Sequence, residues 1–177
     1  MASSDDPFDP LEEDIDDDED GDETVEQDAV ALLSSDHAEV KQMFEEYRQL
    51  VEGGAKDDRR GELARQICSA LTVHAEIEED IFYPAMRESL DDELLLDQAE
   101  VEHASARELI DQIESMEPGD ALFDAKLLVL GEYVDHHVQE EENEIFPQAE
   151  KSGIDLDELG AELAERKREL MAELEED

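Results

Sequence analysis

Apolar residues recur at helical spacing along almost the whole of this chain, and this periodicity restricts the fold more than any other feature. Five segments place an apolar residue every three or four positions, whereas no segment sustains the alternation at period two that a half-buried strand requires. The breaks between the segments are Gly53-Gly54, a Ser89/Asp92 capping box, Pro118-Gly119 and Gly153. The sequence therefore predicts an all-α fold.

Short turns between the segments predict an antiparallel up-down four-helix bundle. The first two helices are expected at about 25–52 and 58–87, where Pro84 should kink or end the second, and the fourth should meet Pro147. A fifth, C-terminal helix at 155–175, capped by Asp155, is expected to pack beside the bundle. The predicted domain is 25–177, with a core motif region at 29–150.

The charge of the chain excludes several functions. It has 177 residues, with 13 Lys+Arg against 57 Asp+Glu and a net charge of −44. Nucleic-acid binding requires a basic surface that displaces counterions from phosphates, and anionic membranes require one too, so neither is expected as a partner. The single cysteine, Cys68, excludes an internal disulfide and a thiolate metal cage, and we expect it to be a buried bystander.

The acidity also suggests where the protein works. Residues 1–24 are predicted to form a disordered acidic tail, because their composition cannot bury enough apolar surface. Beyond residue 28 there are still 42 acidic and 13 basic residues, so the folded part is acidic as well. Molar salt would screen this repulsion, which is typical of a halophile's cytosol, and the first residues lack the features of a signal peptide. We therefore expect a cytoplasmic protein.

Polar residues interrupt the apolar stripes of the four bundle helices. Each stripe contains one histidine, and two of these are followed by a glutamate four residues later, on the same helix face. The six residues are His37, His74, Glu78, His103, His137 and Glu141. Buried carboxylates are costly unless they are paired or bind metal, and imidazole with carboxylate suits iron, manganese or zinc. Two carboxylates in one bundle favour a two-metal site.

The second and fourth helices repeat one pattern. In both, a glutamate follows the histidine after four residues and a proline follows after ten, as in His74, Glu78 and Pro84. The histidines of consecutive helices are 37 residues apart in the first half and 34 in the second. The chain is thus predicted to use one helix pair twice.

These residues resemble the hemerythrin-like family, the HHE cation-binding domain, over about residues 29–170, in an acidic member of haloarchaeal type. The resemblance implies a four-helix bundle around two non-haem irons in an Fe–O–Fe type centre, with manganese or zinc as alternatives. It implies that the four histidines are terminal ligands, His37 and His74 on one iron and His103 and His137 on the other. Glu78 and Glu141 would bridge the irons, and open positions would take O₂ or a related diatomic ligand.

Two positions depart from oxygen-carrying hemerythrins, which have another histidine one turn after His103 and an aspartate in the last motif. This chain has Arg107 and Glu141 there. Fewer imidazoles and more carboxylates favour the ferric state over reversible oxygen carriage, so the ligand set is closer to family members that sense iron or oxygen or that serve in iron–sulfur repair. The resemblance as a whole implies O₂ binding or iron and oxygen sensing. An enzyme that acts on peroxide or nitric oxide, or donates iron for iron–sulfur repair, is the alternative, so enzymatic activity stays open.

Some residues permit two interpretations. His136 lies one position off the repeat and is an alternative to His137 as the ligand. Tyr133, one turn before His137, is interpreted as a core residue, with a hydrogen bond to a bound ligand as the alternative. Glu79 and Glu142 are expected to face solvent or to support the ligands. Arg107 either guards the site or pairs with an acid such as Asp111.

Overall fold

The computed structural model describes residues 26–91 and 93–176, and all its regular elements within these ranges are helical, which confirms the all-α prediction. The elements are α1 (Ala29–Glu52), α2 (Asp57–Ile77), a π turn (Glu78–Phe82), α3 (Tyr83–Ser89), α4 (Glu93–Glu114), α5 (Phe123–Glu140), a second π turn (Glu141–Ile145), α6 (Phe146–Lys151) and α7 (Leu156–Glu176). The predicted tail at 1–24 and Asp92 of the predicted capping box lie outside the described residues.

The helix ends follow local chemistry. Asp28 caps α1, since its Oδ1 accepts the N–H of Ala31 at 2.7 Å. Gly53 ends that helix, and Gly54 follows with a φ of 65°, which a glycine adopts without steric cost. The predicted cap of the C-terminal helix is confirmed, because Oδ1 of Asp155 accepts the N–H of Glu158 at 3.0 Å.

The two prolines do not end their helices. Of the two outcomes expected at Pro84, an end of the helix is wrong, and an interruption of the regular helix is observed. The chain passes through a π turn and continues as α3 to Ser89, and it does the same at the second site as α6. In the first turn the N–H of Tyr83 donates to the carbonyl of Glu78, five residues earlier. The wider turn leaves a carbonyl without a helical donor, so a proline that lacks an N–H fits directly after it.

The predicted bundle is confirmed, with α1 packed on α2, α4 on α5, and the two pairs in contact through α1–α5 and α2–α4. The C-terminal helix α7 packs against α1 and α2. Gly160 permits this approach, since a Cβ there would lie 2.3 Å from the carbonyl oxygen of Gln27. No helix of the described residues is long and apolar enough to cross a membrane.

The core consists of two apolar clusters with a polar layer between them. One contains Leu33 of α1 and Phe82 after α2, and the other contains Tyr47 of α1 and Ile67 of α2. Along α1, α2 and α4 the histidine lies between residues of the two clusters, and along α5 it lies between Leu130 of one cluster and Ile145 of the following π turn, which belongs to the other. The polar layer is therefore closed by apolar packing at both ends.

Candidate metal centre

All six sequence-predicted site residues are buried in this polar layer. The histidines come from α1, α2, α4 and α5, and each glutamate is the first residue of a π turn. Neither Glu78 nor Glu141 has any exposed surface. The π turns thus lie where the helices direct a carboxylate into the bundle, a location typical of functional sites.

The histidines form two pairs whose Nε2 atoms converge. Nε2 of His37 lies 3.1 Å from Nε2 of His74, and Nε2 of His103 lies 3.1 Å from Nε2 of His137. Each pair joins the histidines of one half of the sequence repeat. Two imidazole nitrogens directed at one point are the arrangement that a first-row metal ion requires.

Each glutamate reaches one histidine of either pair. Oε1 of Glu78 lies 2.7 Å from Nε2 of His74 and 3.6 Å from Nε2 of His103. Oε2 of Glu141 lies 2.8 Å from Nε2 of His137 and 3.9 Å from Nε2 of His37. Among the described residues, none of the four carboxylate oxygens has a hydrogen bond of acceptable geometry. Buried carboxylates without hydrogen bonds are costly, and cations between the histidine pairs would compensate them.

The other ring nitrogen of every histidine contacts a carboxylate. The Nδ1 contacts are His37 with Glu142 at 3.0 Å, His74 with Asp36 at 3.1 Å, His103 with Glu79 at 2.8 Å and His137 with Glu102 at 2.6 Å. Such a contact holds the proton on Nδ1 and leaves Nε2 free for a metal ion.

Sequence reasoning missed two of these four carboxylates, Asp36 and Glu102. Each directly precedes the first histidine of its half, while Glu79 and Glu142 directly follow the two buried glutamates. Both halves therefore repeat an acid before the first histidine and a second glutamate after the buried one, and this repeat could have predicted the supporting carboxylates. The supporting role considered for Glu79 and Glu142 is the one that the geometry favours.

The four carboxylates that contact Nδ1 are the outer carboxylates of the site, and two of them form ion pairs with basic residues. Arg107 donates from both terminal nitrogens to Glu79, at 2.9 and 2.7 Å, and therefore pairs with that residue rather than with Asp111. Lys167 of α7 donates to Asp36 at 2.5 Å. The C-terminal helix thus contacts the residue that holds His74.

An aromatic pair breaks the symmetry of the two halves. Tyr83 and Phe146 occupy equivalent positions, each directly after a π turn. Both rings stack on a histidine, Tyr83 on His103 with 5.5 Å between the centroids and Phe146 on His37 with 5.6 Å. Only Tyr83 adds a hydroxyl, which lies 3.5 Å from Nε2 of His103. Burial and the neighbouring glutamates raise the pKa of Tyr83 well above its usual value. Of the two residues that follow the π turns, only Tyr83 therefore places a protonated phenol beside the histidines.

The charges of the buried histidines are uneven. Burial by itself would lower the pKa of His74, but the carboxylates of Glu78 and Asp36 have the larger effect and raise the pKa to about 10. The pKa of His137 reaches about 11 because contacts with Glu102 and Glu141 outweigh its burial. Burial and the His137 cation lower the pKa of His103 to about 4. The shifts therefore favour a second proton, and a positive charge, on one imidazole of each pair at neutral pH, in the place where a metal ion would supply positive charge.

Three single residues complete the comparison with the sequence. His137, not His136, belongs to the buried group, because the His136 side chain is 67% exposed. Tyr133 is 51% exposed, so its interpretation as a core residue was wrong. Cys68 is fully buried as expected, and burial followed by the charge of Glu114 raises the pKa of its thiol to about 12.

A small cavity adjoins the four histidines. Its volume is about 50 Å³, and apolar side chains of the second cluster, including Leu71 and Ile110, line it together with the imidazoles. This is enough space for a diatomic molecule or a few waters. Four Nε2 atoms and two buried carboxylates form a ligand set that fits a pair of divalent ions.

Comparison with known proteins agrees with this geometry. Residues 28–149 match the family described as Hemerythrin HHE cation binding domain. The fold matches the crystal structure of a hemerythrin HHE cation binding domain-containing protein from Mycobacterium kansasii, with a TM-score of 0.70 and 20% identity over 83% of this chain and 89% of that one.

A curated relative is named DNA nickase, from Nostoc sp. (strain PCC 7120), and is 31% identical over 120 residues. The match covers 65% of this chain but 31% of the relative, so the chain spans about a third of that protein's length. The family match covers most of the bundle and includes all six buried residues. The protein therefore belongs to the hemerythrin HHE cation-binding domain family.

Proposed function

We propose that the protein holds two non-haem iron ions and uses them to bind O₂ or a related diatomic ligand, or to respond to iron and oxygen. His37 and His74 would bind one ion, His103 and His137 the other, and Glu78 and Glu141 would bridge them. Two irons would supply reversible redox chemistry and an open position for a small ligand.

One observation carries this proposal. Each buried glutamate lies within 4 Å of one histidine of each pair, and neither glutamate has any exposed surface. A site for one ion would not require carboxylates that reach across both pairs. Two carboxylates held jointly by two ions would explain these positions.

The surrounding residues would orient the ligands and limit water access. The Nδ1 contacts with Asp36, Glu79, Glu102 and Glu142 hold every imidazole with Nε2 inward. The apolar clusters close both ends of the layer, and the cavity of about 50 Å³ offers space beside the histidines for a diatomic ligand.

The decisive experiment is metal content per chain with a visible absorption spectrum, on protein purified in high salt without affinity-tag metals. We expect about two irons per chain and charge-transfer bands of an oxo-bridged pair. Changing both Glu78 and Glu141 to Ala should abolish two-iron loading. The matched control is Glu144→Ala, an exposed glutamate in the second π turn. Two irons in the double variant would contradict the proposal.

An enzymatic function is the second candidate, and Tyr83 favours it. Reduction of peroxide takes up protons, and the hydroxyl of this buried phenol lies 3.5 Å from Nε2 of His103, where it could donate a hydrogen bond to a bound ligand. The variant Tyr83→Phe copies the residue at the equivalent position, Phe146. If the protein reduces peroxide or nitric oxide, we expect turnover by this variant to fall about 10²-fold or more with iron content unchanged. Equal turnover, or a stable reversible oxy adduct in the wild type, would contradict this candidate.

We do not extend the activity in the Nostoc relative's name to this chain. That name belongs to a protein of which the chain covers 31%, and a net charge of −44 opposes approach to phosphate backbones. Our proposal accordingly excludes DNA as a partner, and retardation of a DNA duplex by this protein at physiological salt would contradict it.

A further inference from the structure

A third group of potential metal ligands lies on the surface beside the buried centre. It consists of Glu102 on α4 with His136 and Glu140 on α5, and their ligand atoms all lie within 4.8 Å of one another. Nε2 of His136 is 3.4 Å from Oε1 of Glu140 and 3.7 Å from Oε1 of Glu102. The histidine-glutamate pair is four residues apart on one helix, a spacing that directs two ligands at one ion.

The position of Glu102 is set by the buried site. Its Oε2 contacts Nδ1 of His137 at 2.6 Å, while Oε1 faces His136. One carboxylate therefore has an oxygen toward each group. This contact orders one surface ligand before any ion arrives, which reduces the entropic cost of binding.

The local charge favours a cation. Among the described residues, no lysine or arginine lies within ion-pair distance of Glu102 or Glu140, although other outer carboxylates such as Glu79 and Asp36 have such partners. His136 is the one exposed member of the five histidines, so solvent could complete the coordination of an ion.

We propose that Glu102, His136 and Glu140 form a surface site for a first-row divalent cation such as Zn²⁺, separate from the buried centre and connected to it by the Glu102 carboxylate. One imidazole with two carboxylates and open water positions is a donor set that such ions accept. An ion there would attract the negative charge of the Glu102 carboxylate and so weaken the contact between Oε2 of Glu102 and Nδ1 of His137. Surface occupancy would thus alter the affinity of the ion that His137 binds, and this coupling rests on the proposed function.

The test uses the reactivity of His136 toward diethyl pyrocarbonate, located by mass spectrometry. The other four histidines are buried, so the reagent reports the surface site directly. We expect micromolar Zn²⁺ to protect His136 in molar KCl with excess Mg²⁺, which saturates non-specific acidic sites. Glu140→Gln should raise the Zn²⁺ concentration needed for protection by at least about tenfold, since even supporting residues have effects of that size.

The matched control is Asp135→Asn, which removes the same charge from an exposed position of α5 next to His136. Unchanged protection in this control supports a specific site. Equal weakening in both variants, or no protection by Zn²⁺ in the wild type, would overturn the proposal. A chain with Glu78→Ala and Glu141→Ala should still show protection, so a failure of the buried centre is distinguishable from a failure of this site.

Discussion

At the residue scale, every buried histidine has its two ring nitrogens in different surroundings. Nδ1 contacts a carboxylate and Nε2 faces another histidine and a glutamate. A neutral imidazole has one donor and one acceptor nitrogen, so the outer carboxylate selects the form in which Nε2 is the acceptor. The outer carboxylates therefore decide which nitrogen a metal ion meets.

Protons should compete with metal at this site. The pKa values of His74 and His137, about 10 and about 11, exceed the ordinary value near 6.5, so both rings are protonated in the metal-free protein at pH 7. Because metal requires neutral imidazole, loading two ions should release roughly two protons, and affinity should rise with pH until these histidines lose their protons.

Calorimetric titration with Fe²⁺ or Mn²⁺ in buffers of different ionisation enthalpy measures this release. Mg²⁺, which prefers oxygen ligands, is the control and should release none. A binding enthalpy for Fe²⁺ that is the same in all buffers would contradict the prediction.

At the element scale, each π turn places a glutamate in the buried site and lets the chain continue as a helix past a proline. It begins at the buried glutamate, and it is followed by an aromatic residue and then a proline at which the helix continues. A π turn spans one residue more per hydrogen bond than an α-helical turn. The helical spacing that predicted α2 and α5 could not reveal this difference, because periodicity over a short window does not distinguish the two kinds of turn. Proline signalled that the regular helix is interrupted, and the wide turn is how the chain continues.

The attachment of α7 depends on Gly160. A Cβ at this position would lie 2.3 Å from the Gln27 carbonyl oxygen and 2.8 Å from the Ala29 nitrogen, both of which are backbone atoms. We expect Gly160→Ala to lower the free energy of unfolding by about 1–3 kcal/mol, since overpacking outweighs the gain in helix propensity of about 1 kcal/mol.

Chemical denaturation measures this change. Glu162→Ala, at an exposed position two residues later on α7, is the control and should have almost no effect. An alanine at position 160 that leaves stability unchanged would show that α7 does not need this close approach.

At the scale of the whole molecule, self-repulsion opposes the fold. The net charge is −44, and the outer surface of the bundle carries most of the acids beyond residue 28. Salt shortens the range of this repulsion from about 10 Å at 0.1 M to about 3 Å at 1 M. We propose that the protein is adapted to high salt, as the sequence indicated.

The corresponding prediction is a melting temperature that rises by several degrees between 0.1 and 2 M KCl. Potassium chloride is the appropriate salt, because sulfate would also strengthen apolar burial. Circular dichroism follows the transition, and an ordinary acidic protein of similar size is the control. A melting temperature that stays constant or falls would contradict adaptation to salt.

The sequence by itself determined the helices, their order and the six polar residues of the core. These properties are local, since apolar spacing defines a helix face and a histidine on that face is buried with it. The repeat of His74 and Glu78 in His137 and Glu141 then indicated one site built by two halves. The family resemblance rested on the same residues and is confirmed.

Only the tertiary structure decided how the four helices are rotated about their axes relative to one another. That rotation brings Asp36 to His74 and Glu102 to His137, and it places the Tyr83 hydroxyl 3.5 Å from Nε2 of His103. Neighbouring positions on a helix differ by about 100° in direction, so small changes in rotation exchange buried and exposed residues. Packing of whole side chains across helices sets this angle, and no short sequence window contains it.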